Sequence, residues 1–88
     1  MVRATQRGPV PTGRNAIRTA DPILRKLFTI AHQKDISLQE IARRIDRTVV
    51  AVSRWKGGLN TPTMIDVVFF AQAIGCDIEV VEKKEPAA

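Results

Sequence analysis

Cysteine and histidine each occur once among the 88 residues, and tyrosine does not occur at all. One thiol cannot close an internal disulfide. Cys76 and His32 together cannot complete a zinc site, which needs about four ligands. No serine or cysteine can be matched with a histidine base, and glycine-rich phosphate loops and paired carboxylates are missing. The composition therefore speaks against an enzyme and against a bound metal or other cofactor. No apolar run approaches the roughly 20 residues that span a bilayer, and the basic N-terminus lacks the apolar stretch of a secretory signal. The expectation is a soluble cytoplasmic protein with no membrane partner. With three phenylalanines and one tryptophan the chain has few aromatics for base stacking, which argues against RNA. Its length suits one domain with little stability in reserve, and no separate effector-binding or protease domain.

What the chain does have is positive charge. Fourteen lysines and arginines against nine acidic residues give a net +5, a balance that favours polyanions through counterion release. Arg3, Arg7, Arg14 and Arg18 precede the first acidic residue, whereas the tail mixes both signs. Residues 1–20 hold Gly8, Pro9, Pro11 and Gly13 without helical or strand periodicity, and read as a flexible basic arm.

From Asp21 the punctuation is regular. Asp21-Pro22 is an N-cap followed by proline at the first helical position. Ile23, Leu24, Leu27, Phe28, Ile30 and Ala31 then gather on one face, with Arg25, Lys26, Thr29, His32 and Gln33 opposite. Ser37 and Glu40 form a capping box that opens a short helix carrying Leu38, Ile41, Ala42 and Ile45. Thr48 caps a third helix from Val49 to Lys56, which Gly57-Gly58 ends. Thr63 caps a fourth, from Met64 to Ile74, with Gly75 at its close. Ile78 to Glu82 is rich in β-branched residues and reads as one strand. The domain is expected to span 21–82, with 83–88 as a frayed tail.

Two short helices joined by three or four residues make a helix-turn-helix. On a wheel with Val49 at zero, Ser53, Val50 and Arg54 fall between about 40° and 140°, and Ala51, Val52 and Trp55 between about 200° and 300°. Trp55 and Val52 are the natural core anchors. Val49, Val50, Ser53 and Arg54 should therefore point outward.

Ser37 to Gly75 resembles the phage-repressor (Cro-like, XRE) helix-turn-helix family. The likeness is carried by EIARRI, by VSRW followed by Gly58, by the Thr61-Pro62 turn and by the AQAIG ending. With the first helix it covers about two-thirds of the chain. It implies a mainly α, lambda-repressor-like four-helix domain, here with a C-terminal strand and a basic arm added. It also implies a homodimeric transcription regulator, bacterial or phage-encoded and nucleoid-associated, with double-stranded DNA as its partner. By position, Thr48, Val49, Val50 and Arg54 match places where such proteins contact base edges or nearby phosphates. The chain departs from the family at Leu38, where a glutamine often contacts phosphate (Gln39 lies one residue later), and at Asp46, where the turn usually has glycine.

The residues themselves limit these roles. Valine cannot hydrogen-bond, so Val49 and Val50 can read only thymine methyls or groove shape, or else form an apolar patch for a protein partner. Arg54 can take guanine O6 and N7 bidentately or grip a phosphate, and Ser53 is an unselective donor and acceptor. Gln39, Arg43, Arg47 and Lys56 flank the reading helix as candidate phosphate contacts, alongside Asn60, Thr61 and Thr63 at the start of the fourth helix. Surface arginines are more often merely solvated. Ile65, Val68 and Phe69 are surplus to a core set of Met64, Val67, Phe70, Ala71 and Ile74. With Ile78 and Val80 they form the expected dimer interface. The preferred function is operator binding as a small repressor. The alternatives are an antitoxin that also holds a toxin protein, and a non-specific architectural or silencing protein.

Overall fold

The computed structural model describes residues 11–84, apart from the side chain of Arg14. A short 3-10 turn, Gly13–Asn15, precedes four helices: α1 Pro22–Gln33, α2 Leu38–Ile45, α3 Val49–Gly57 and α4 Met64–Ala73. Each helix is capped at its start by the side chain read from the sequence. Asp21 Oδ1 accepts from the N–H groups of Ile23 and Leu24 at 2.9 and 3.2 Å. Ser37 Oγ, Thr48 Oγ1 and Thr63 Oγ1 each accept from the N–H three residues on, at 3.1 Å. These bonds satisfy amides that the helices leave unpartnered.

The four C-termini share one solution as well. Ile36, Arg47, Leu59 and Cys76 each donate their N–H to the carbonyl five residues back, at Ala31, Ala42, Arg54 and Ala71. The residue before each donor is left-handed: Asp35 at φ 61°, Asp46 at 58°, Gly58 at 79° and Gly75 at 81°. These are Schellman ends. Glycine suits position 58 on two counts: its backbone is left-handed, and a Cβ would stand 3.2 Å from Thr19 Cα, tighter than ordinary contact.

The helices α1 and α2 each pack against α3 and α4. Between them Leu24, Ile41, Val52, Phe70 and Ile74 are fully buried. Phe28 and Phe70 meet edge to face at 4.7 Å, a geometry that adds about 0.5–1.5 kcal/mol beyond area burial.

Four expectations are corrected. The domain begins before Asp21: Ile17 and Thr19 are buried, and Arg18 and Thr19 both donate backbone N–H groups to the Lys56 carbonyl at 3.0 Å. Arg25 closes the strap by donating to the carbonyls of Ile17 and Thr19 at 3.0 and 3.1 Å. Burying one isoleucine contributes about 1.5–3 kcal/mol, which adds to these hydrogen bonds in holding the segment against the helices. Second, no strand forms among the described residues. Ile78 to Glu82 is irregular and Val80 is 99 % exposed, because a single strand without an edge to pair with leaves its backbone groups to water. Third, Met64 lies outside the core and Asp66 inside it. The buried arc of α4 runs through Asp66, Phe70, Ile74, Val67 and Ala71, placing Met64 about 90° from its centre. Fourth, Ile23 in the first turn of α1 is exposed.

Candidate nucleic-acid interface

The turn between α2 and α3 is built by Asp46. Its left-handed backbone lets Arg47 return an N–H to Ala42 at 2.9 Å, and Thr48 then opens α3 two residues later. Ala42 is buried, and Val52 is sealed beside Ile45 and Trp55. Those anchors fix the rotation of α3. Val49, Val50, Ser53 and Arg54 consequently face outward as one exposed strip, with Ala51 half-buried at its margin.

Thr48 is also exposed, though its Oγ1 is committed as an acceptor to the Ala51 N–H; the hydroxyl proton remains available to donate. Gln39, Arg43, Asn60, Thr61 and Thr63 are all exposed. Leu59, 76 % exposed, adds an apolar knob in the same loop as Asn60 and Thr61.

The cations are not equivalent. Glu40 receives Arg43 Nε at 3.2 Å and Arg44 Nε at 2.8 Å, and it also pairs with the Arg43 amino group. Those hydrogen bonds hold the Glu40 carboxyl down at about 2, and they raise the Arg43 guanidinium above its ordinary value. One carboxylate thus offsets part of the charge of two arginines. Arg44 also donates to the Ala73 carbonyl at 2.7 Å, tying α2 to the end of α4.

Arg47 is half exposed, with its guanidinium directed at a carboxylate. Its Nε and terminal amino group lie 3.0 and 2.9 Å from the buried Asp66 Oδ1, which occupies two of five N–H donors. Lys56 is partly buried at the end of α3, and burial pushes its ammonium below the usual lysine range. Of the arm residues, Arg18 is exposed and held next to the α3 C-terminus by its backbone bond to Lys56. Arg3 and Arg7 lie outside the described residues, as does the Arg14 side chain.

No protein-family model matches the chain, and none of the curated proteins or solved structures does.

The residues expected at a dimer interface split into two groups. Ile65 and Phe69 are 64 % and 49 % exposed on the outer face of α4, with exposed Met64 and half-buried Val68 beside them. Ile78 and Val80 are exposed on the irregular segment after α4 rather than on a strand. Among the described residues no group of three His, Cys, Asp or Glu side chains could hold a metal ion, and no helix is long and apolar enough to cross a membrane. Cys76 is a free thiol packed against the core. His32, assigned to the wet face of α1, is partly buried against a cleft near the α1–α2 turn.

Proposed function

We propose that this protein binds double-stranded DNA as a homodimeric transcription regulator, with α3 entering the major groove. One observation carries the reading: α3 is pinned by Val52 and Trp55 so that Val49, Val50, Ser53 and Arg54 form a continuous exposed strip. An α-helix fits the major groove, arginine there can read guanine, and valine can read a thymine methyl. Arg43, Arg18 and the loop residues Asn60, Thr61 and Thr63 supply donors to the flanking backbone, which positions the helix without reading sequence. Arg47 serves the fold first, through Asp66.

The exposed Ile65 and Phe69 favour a protein partner on α4, and a second copy of the chain is the preferred one. A single small module buries only about 600–1,000 Å² on DNA, so pairing would raise affinity and set two half-sites about one helical turn apart. The same apolar face would serve an antitoxin, where it would hold a toxin instead. Selection of bound duplexes from a random pool tests the proposal. A two-fold symmetric enriched motif is expected. Tight but sequence-blind binding would favour an architectural protein, and absence of binding would overturn DNA recognition altogether.

A further inference from the structure

The first turn of α3 presents almost no hydrogen-bonding side chains. Val49 and Val50 are its first two residues, and they are 39 % and 56 % exposed. Ala51 is half-buried and Val52 is sealed in the core. The polar side chain at that end is Thr48, whose Oγ1 is held by the Ala51 N–H at 3.1 Å. Ser53 and Arg54 stand one turn further on, about 6 Å along the axis from the valines. The exposed strip is thus apolar at the N-terminal end, the part of a groove-bound helix that meets base edges, and polar beyond it. A β-branched side chain in a helix keeps largely to one rotamer, so the two isopropyl groups are held in place as well as exposed.

We propose that Val49 and Val50 form a receptor for pyrimidine C5-methyl groups, so that the protein accepts thymine and 5-methylcytosine alike and responds to cytosine-5 methylation of its DNA site. The assignment rests on the DNA reading of α3. Its chemistry follows from what valine can distinguish. Beside the C5 position, thymine shows the O4 acceptor to the major groove and cytosine shows the N4 donor. A side chain with neither donor nor acceptor bonds to neither group, so it gains nothing from either. The methyl is the apolar group on the pyrimidine edge, and contact with it is what valine gains. Cytosine methylated at C5 carries the same methyl in the same place. Unmethylated cytosine presents a bare C5–H and leaves the valines without that surface to cover. Burying one methyl changes Kd about fourfold, and two read together change it about fifteenfold.

The test uses the full chain and the duplex enriched from a random pool. Each thymine at an enriched position is replaced in turn by deoxyuridine, which removes the methyl and keeps the pairing with adenine. At the same positions, cytosine–guanine duplexes are compared with and without the C5-methyl. One or two thymines in each half-site should weaken binding about fourfold each when converted to deoxyuridine. The C5-methyl should strengthen the matching cytosine duplex by a similar factor. Val49→Ala and Val50→Ala, each placing a better helix former at an exposed site, should each bring the methyl ratio at one of these positions close to one. Should either variant fold poorly, the modified duplexes with the unaltered protein still decide the matter. Deoxyuridine binding as tightly as thymine throughout, 5-methylcytosine binding no tighter than cytosine, or methyl ratios unchanged in both valine variants would each overturn the assignment. Any of those results with an enriched motif leaves DNA recognition standing, whereas a pool that yields no enriched duplex overturns both.

Discussion

Replacing Arg47 by methionine should destabilise the fold rather than simply remove a phosphate contact. The Asp66 side chain is 8 % exposed and that of Arg47 is 51 % exposed. Stripping the partner from a fully buried pair costs about 3–5 kcal/mol. Arg47 is half in water, so the pair is partly screened and the loss should be nearer about 2 kcal/mol. For a domain of this size each kcal/mol lowers the midpoint by about 4–8 °C, so a drop on the order of 10 °C is expected. Adding Asp66→Ala should restore more than half of the deficit, because the stranded carboxylate is the main cost. Urea unfolding followed by circular dichroism on the wild type, the two single variants and the double variant completes the cycle. A wild-type midpoint for Arg47→Met, or a double variant no more stable than it, would refute the reasoning. A lost DNA salt slope of about one with unchanged stability would instead return Arg47 to the phosphate backbone.

Two further outcomes follow from the geometry. Asp46→Gly should stabilise the domain by about 0.5–1 kcal/mol in thermal unfolding: glycine relieves the left-handed backbone, and a negative charge leaves the C-terminus of α2. A destabilised variant would mean that the Asp46 side chain supports the turn. Phe69→Glu should shift sedimentation toward monomer while the helical circular dichroism at low temperature stays that of the wild type, since Phe69 is half exposed. A dimer that persists would move the interface off α4.

Much of this fold was legible because its helix boundaries are written in local chemistry. Asp21, Ser37, Thr48 and Thr63 each cap a helix through a side chain that reaches only two or three residues ahead. The rotation of α3 was legible too, since Val52 and Trp55 leave one face for water. What escaped the sequence depends on distant partners. Ile17 stands alone among glycines, prolines and arginines, and nothing periodic marks it as core; its burial depends on backbone bonds to Lys56 and Arg25. The Arg47–Asp66 pair joins residues 19 apart. Asp66 stands in the first turn of α4, three residues after its cap Thr63, and only packing shows it to be buried. The β-branched run at Ile78 carried a propensity without a partner, and propensity alone does not make a strand. In the candidate site, residue identity showed which side chains are charged but not which are engaged. Arg43 and Arg47 read alike in sequence, yet one faces solvent beside Glu40 and the other faces a buried carboxylate.

The most direct test of the central claim compares the wild type and Arg54→Ala on a selected duplex and on random DNA, at two salt concentrations. If α3 reads the major groove, the variant should lose about 1–3 kcal/mol on the selected duplex, roughly a 5- to 150-fold weaker Kd, with random-DNA affinity changed far less and unfolding unchanged. Equal affinities of the two proteins for the selected duplex would contradict the account and remove the exposed strip of α3 from DNA recognition.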